Sequence, residues 1–338
     1  MVPVCLLALP IFAAMAQDRA VPAAPASGGI AAKLQPFVDK HKMAGAVVLV
    51  ADKDKVLDVE TVGYADLTAQ KPMAADDMFW IASMSKPMTV TALMMLVDEG
   101  KVNVDDPVEK YLPYFKGQMV ADSADPRTTL HPQQPPILVR NLLSHTSGLP
   151  LFSPVEKPTL DLLPLSEAVP SYARTVLMFE PGTKYSYSNA GINTAGRIIE
   201  VVSGMPYEKF MEERLFKPLG MKDTTFWPNE EQLQRLAKSY RENAQKDNLE
   251  ETDINYLHYP LNDVQHRFPM PAGSLFHGGR RGEVRSNVSQ QGHFPGAALS
   301  VGSHGRRDDD QANCTGDKDS LRIRVDHKRL GVRAFWTL

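Results

Sequence analysis

Thiols are nearly absent from this chain, whose 338 residues include two cysteines, Cys5 and Cys314. Cys5 lies inside an N-terminal apolar run, so the remainder can form neither an internal disulfide nor a thiol metal site. The nine histidines show no HExxH or comparable ligand spacing, which argues against a metal. Charge of one sign is also lacking. The formal net charge is −3, so neither a nucleic acid nor an anionic membrane surface is expected as a partner. No transmembrane segment is expected, because the N-terminal apolar run is far shorter than the roughly 20 residues that span a bilayer. The G-x-S-x-G turn of the α/β-hydrolases does not occur, which counts against that nucleophile elbow. No internal repeat is visible.

What is present is a hydrophobic content of 43%, enough for one sizeable domain or two smaller ones without staples. The run VCLLALPIFAAMAQ ends in Ala14-Met15-Ala16 and matches the apolar region and cleavage site of a secretory signal. Only Met1, Val2 and Pro3 precede it, so the usual basic leader is missing. Residues 1–16 are expected to be a signal peptide cleaved after Ala16, which predicts a periplasmic or secreted protein. Residues 17–29, rich in Pro, Ala and Ser, read as a linker.

A helix is predicted at about Ile30–His41, followed by a hairpin over Gly45–Asp66 with a charged turn at Asp52–Lys55. Two strands cannot hold a sheet alone, so partner strands are expected from the C-terminal part. From Phe79 to about Pro228 the pattern is mostly helix and loop. Ala195, Ile198, Ile199 and Val202 recur at i, i+3, i+4 and i+7, with Gly204 as the stop. A shorter helix, Tyr207–Leu215, leads into FKPLGM.

The stretch FWIASMSKPMTVTALMMLVDEG, Phe79–Gly100, reads as a helix with little polar face, which predicts burial. Its first turn nevertheless carries Ser83, Ser85 and Lys86. Residues three apart share a helix face, so Ser83 and Lys86 meet, whereas Ser85 points roughly 100° away. An ammonium among apolar neighbours has its pKa driven down, and a neutral amine beside a hydroxyl is a general base next to a weak nucleophile. The nearby helix N-terminus favours a developing anion. A surface lysine snorkelling from a helix start fits the same Ser-x-x-Lys spacing.

Two further stretches bear on this pair. EPGTKYSYSNAGINTAGRIIE holds Tyr187-Ser188-Asn189 just before a helix. A phenol there can relay a proton, and an amide can bridge a lysine and a substrate carbonyl. An ordinary turn in which Asn189 caps the helix is the alternative. NLLSHTSGLP holds His145, Thr146 and Ser147, but a triad needs an orienting carboxylate. This stretch is read as a structural helix end and turn.

Taken together, FWIASMSKPMT, DEGKVNVDDPVEKYLPYF, LLSHTSGLP, EPGTKYSYSN, VVSGMPYEKF, LFKPLGM and PAGSLF resemble the class C β-lactamase-like serine hydrolases. That family includes class C β-lactamases, DD-peptidases and family VIII carboxylesterases. The resemblance covers roughly residues 30–276 and implies an α+β, β-lactamase/transpeptidase-like fold. In that fold an antiparallel sheet is flanked by helices, with a mostly helical lobe beside it and the active site in the groove between. It implies Ser83 as nucleophile, Lys86 as its base, Tyr187 as proton shuttle to the leaving group and Asn189 in substrate placement. The implied reaction acylates Ser83 and then hydrolyses the acyl-enzyme, with no cofactor and no metal. The expected partner is a small molecule: a β-lactam, an ester or a D-amino-acid peptide. No class A type Glu motif is visible, so deacylation is expected to rest on Tyr187 and Lys86.

The chain departs from the family at its end. A K/H-x-G motif on a strand facing Ser83, source of the second oxyanion N–H, is not evident. His277-Gly278-Gly279 comes too soon after PAGSLF. Ser303-His304-Gly305 lacks strand-like flanks and leaves His304 as the remaining substrate-binding candidate. Residues up to Phe276 hold nine arginines and seventeen lysines, whereas His277–Leu338 holds nine arginines, two lysines and nine glycines. Within that tail only Leu321–Val332 alternates like a strand. This change predicts a shift of reading frame near Phe276–His277, making 277–338 an atypical tail and the sheet incomplete. Two functions follow: a serine hydrolase, or an impaired relative that binds penicillins or cell-wall peptides and is acylated slowly or not at all.

Overall fold

The helix α1 (Ile30–Asp39) sits on a hairpin made by β1 (Gly45–Ala51) and β2 (Val56–Asp66) in a computed structural model that describes residues 29–52, 56–123, 129–156, 159–279 and the backbone of 333–335. Residues 1–28, His304, Cys314 and Leu321–Val332 lie outside the described residues, and with them the signal segment and nearly all of the linker and tail. Alternation along the strands buries Ala46, Val48 and Val62 against Ala31, Leu34 and Val38 of α1. The first turn of α1 has no side-chain cap of its own. Instead Glu60 of β2 accepts from the N–H groups of Ile30 (3.1 Å) and Ala31 (2.7 Å). Those donors hold its carboxyl below the usual carboxylate range.

The chain then forms β3 (Lys71–Pro72) and β4 (Met78–Trp80), one 3-10 turn at Ala82–Met84, and α2 (Ser85–Asp98). The helix expected from Phe79 therefore starts six residues later. Phe79 and Trp80 are strand formers with a partner strand available, and Ala82 takes a left-handed φ of 44° that breaks any helical path. Next come a small hairpin of β5 (Met119–Ala121) and β6 (Leu130–Pro132), then α3 (Val139–Leu143), α4 (Leu165–Ala173) and α5 (Asn189–Ser203). The α6 turn (Tyr207–Phe210) runs on as a wider π-type helix through Phe216. The remaining elements are β7 (Thr224–Thr225), α7 (Glu230–Gln234), β8 (Tyr240–Glu242), β9 (Leu249–Glu251), β10 (Phe276–Gly278) and β11 (Arg333–Phe335).

Pairing is antiparallel within each sheet. One sheet runs β11-β1-β2-β3, so a C-terminal segment does reach the hairpin's free edge, and a second runs β4-β10-β7. The larger core lies in the helical lobe, where α5 packs against α2, α3 and α4. Its buried face includes Ala195, Ile198 and Ile199, as the periodicity predicts, and it ends where Gly204 adopts φ 70°. Fully burying each of those isoleucines stabilises by about 1.5–3 kcal/mol. Among the described residues no helix is long and apolar enough to cross a membrane.

Candidate active site

Ser83 is exposed in the 3-10 turn between β4 and α2, and the turn is tied down from the other side of the chain. Ile81 N–H donates to the Leu275 carbonyl (3.0 Å), and the Trp80 indole N–H donates to Gly273 (2.8 Å). Ser85 Oγ donates to the Ala82 carbonyl (2.6 Å), which spends that hydroxyl on the turn itself. These contacts hold Ala82 in a backbone conformation that costs a non-glycine residue on the order of 1–3 kcal/mol.

Lys86 lies beneath the serine at 5% exposure. Its Nζ is 2.9 Å from Ser83 Oγ and 2.6 Å from the Ala272 carbonyl, and lies 4.7 Å from the centroid of the Tyr187 ring. No carboxylate among the described residues forms an ion pair with it. Burial pulls its pKa down to about 8, so roughly a tenth of the molecules carry the neutral amine at pH 7. The snorkelling alternative does not hold, since this ammonium points inward.

Tyr187 rises over the same atom. Its hydroxyl donates to Ser83 Oγ at 2.7 Å, and the side chain is 39% exposed at the mouth of the site. The geometry thus brings Ser83, Lys86 and Tyr187 together. Asn189 is the first residue of α5, and the cap belongs to Ser188, whose Oγ accepts from Gly191 N–H at 3.0 Å. That leaves the Asn189 side chain free of capping. Its Oδ1 is buried without a hydrogen-bond partner among the described residues.

His145 was not expected here. LLSHTSGLP does end α3, yet the imidazole packs on Tyr187 with centroids 4.6 Å apart and planes inclined by 34°. Its Nδ1 accepts from Ser188 N–H at 3.2 Å. Burial first, and the Lys86 charge second, hold its pKa below the ordinary histidine value.

The carbonyl that holds Lys86 has its own support. Ala272 N–H donates to Asn193 Oδ1 (3.1 Å), and Asn193 Nδ2 donates to the Tyr172 hydroxyl (3.0 Å). That hydroxyl donates in turn to Glu156. Thr89 Oγ1 donates to the Pro271 carbonyl (3.0 Å), and a Cβ on Gly196 would overlap Pro271. Asn193 and Gly196 are one turn apart on α5, so this face of the helix is shaped to seat residues 271–272. Polar residues, Asn193 and Thr194, inside a mostly apolar helix stripe were the available signal.

The His277-Gly278-Gly279 segment is not a substrate-facing edge. His277 pairs with Phe79 on one side and Thr224 on the other, and its Nδ1 is 2.7 Å from Thr224 Oγ1.

Comparison with known proteins bears on the family and the fold. Residues 30–281 match the family model described as Beta-lactamase. Protein Rv1367c of Mycobacterium tuberculosis is 36% identical over 221 residues, which are 63% of this chain and 55% of that protein. Esterase EstB of Burkholderia gladioli is 28% identical over 299 residues, covering 84% of this chain and 69% of the esterase. Among solved structures, EstCE1, a hydrolase with promiscuous acyltransferase activity, superposes with a TM-score of 0.61 at 28% identity. That match covers 76% of this chain and 70% of EstCE1. The chain spans about half the length of Rv1367c. With one family model matching most of its residues, and a β-lactamase/transpeptidase-like α+β fold beneath them, the chain belongs to the β-lactamase family.

Proposed function

We propose that this chain is a serine hydrolase that forms an acyl-enzyme on Ser83 from a small carboxylic ester or a β-lactam. The observation that carries the reading is the double approach to one oxygen: Lys86 Nζ at 2.9 Å and Tyr187 OH at 2.7 Å, both on Ser83 Oγ. Neutral Lys86 takes the Ser83 proton as Oγ attacks the substrate carbonyl, and the C–O or C–N bond of the leaving group then breaks. Tyr187 gives its proton to the departing oxygen or nitrogen and recovers one from Lys86. Water then attacks the acyl carbon while Lys86, through Tyr187, takes its proton; the Ser83 Oγ–acyl bond breaks, the proton passes on to Oγ, and the carboxylic acid leaves. The buried Asn189 Oδ1, without a partner among the described residues, supports a role in accepting a substrate N–H. The esterase name of EstB favours the ester.

The test is a fluorophosphonate probe with peptide mapping, followed by a short-chain nitrophenyl ester against a chromogenic cephalosporin. The expected adduct is on Ser83, and Ser83→Ala is expected to lose both adduct and turnover. An adduct on another side chain, or hydrolysis unchanged in Ser83→Ala, overturns the reading. Labelling of Ser83 without turnover of either substrate makes the chain an acyl trap instead.

A further inference from the structure

This inference rests on the acyl-enzyme reading. His145 has a left-handed backbone, φ 57°, a region that side chains other than His, Asn and Asp seldom enter. There it reaches the turn before α5 with two separate groups. Its carbonyl accepts from Ser186 N–H at 2.9 Å, and its ring Nδ1 accepts from Ser188 N–H at 3.2 Å. Tyr187 lies between those two donors, with its ring tilted against the imidazole. Tyr185 meets the same imidazole edge-on, with centroids 5.9 Å apart. A backbone N–H can donate to Nδ1 only when that nitrogen carries no proton, which puts the ring proton on Nε2.

We propose that His145 is the positioning residue for Tyr187: its unprotonated ring grips the Ser186–Ser188 turn and aims the phenol at Ser83, and its protonation releases that grip in acid. The groups facing the ring are Lys86 from α2 and Tyr185 and Tyr187 from the turn. A protonated imidazole would have to drop the Ser188 bond and stand near the Lys86 charge. Burial and that charge both oppose protonation, so the release falls below the usual histidine range. It is therefore a second acid step, separate from the Lys86 titration near 8.

The experiment is the rate of Ser83 labelling by a fluorophosphonate from pH 4.5 to 9 for the full chain, His145→Asn and His145→Ala, with thermal melts of each. The parent is expected to lose about tenfold in rate per pH unit below 8 and about a hundredfold per unit once His145 protonates as well. Asn tolerates the left-handed backbone and keeps an acceptor but does not titrate. His145→Asn should thus label within about tenfold of the parent at pH 8 and show a single acid step. His145→Ala should label on the order of 10²-fold more slowly at every pH, the scale of a misplaced catalytic group. If the Ala variant does not fold, His145→Asn decides alone. A parent-like second step in His145→Asn, or one step only in the parent, overturns the inference and leaves the acyl-enzyme reading standing. A parent that is not labelled at Ser83 removes both.

Discussion

Arg267 and Lys86 are both hidden from water, at 2% and 5% exposure, yet only Arg267 meets a carboxylate. Its Nε donates to Asp161 at 2.9 Å, and its Nη1 donates to the Leu261 and Phe226 carbonyls. Asp161 also accepts from His258 N–H at 3.1 Å. This cluster ties the 257–268 segment to the helical lobe, and nothing in it is left to react. Burial lowers the pKa of both cations, but only for Arg267 does a carboxylate oppose it; Lys86 has a hydroxyl, a carbonyl and an aromatic face for company. A buried cation with a partner holds the fold, and one without a partner is poised to give up its proton.

The comparison breaks most visibly at Lys86. Lys86→Ala is expected to cut the rate of Ser83 labelling near neutral pH by about 10²–10⁴, the usual contribution of a general base. The melting temperature should hold or rise, because an unpaired ammonium leaves the interior. Full labelling in that variant would end the base role. Arg267→Met should do the opposite. Leaving Asp161 buried without its cation is expected to cost about 3–5 kcal/mol in urea unfolding, while the labelling rate of the folded fraction stays within about threefold. If the losses fall the other way round, the two cations have been given each other's roles.

Smaller changes sharpen the contrast. Tyr187→Phe keeps the ring over Lys86 and against His145 but removes the hydroxyl 2.7 Å from Ser83. It should slow ester turnover by about 10²-fold, the low end for proton transfer, and an unchanged rate would dismiss the shuttle. The gentlest test is pH. In the proposed base role the reactive form is the neutral amine, so labelling should climb about tenfold per unit up to a pKa of about 8 and level off above it. Native Lys86 loses its proton before the unfolded chain does. Stability should therefore rise with pH between about 8 and the ordinary lysine value as the burial penalty on the charge disappears. A labelling rate independent of pH from 6 to 9 would place the titrating base elsewhere.

Some of this was open to inspection in one dimension. The Ser83–Lys86 pairing is a consequence of helical geometry: a 3-10 turn running into α2 still sets residues three apart on one side. The extent of α5, its buried stripe and its Gly204 stop follow from period and backbone chemistry in the same local way. The α1 boundary and the hairpin do too. Local rules misjudged the residues just before Ser83, where Phe79 and Trp80 pair as a strand with a segment nearly two hundred positions away. They also gave no sign of where the His145 ring packs. A histidine at a helix end looks like any turn residue until the chain folds it against Tyr187.

By itself the sequence determined which side chains could do chemistry and which of them share a helix face, because those relations depend on a few neighbouring dihedrals. Only the tertiary structure decided that Lys86 is short of water and of a counter-ion, that Ala272 supplies its second acceptor, and that Tyr187 reaches Ser83 from the start of another helix. Desolvation and the approach of distant carbonyls are properties of packed segments, and a one-dimensional pattern does not contain the packing.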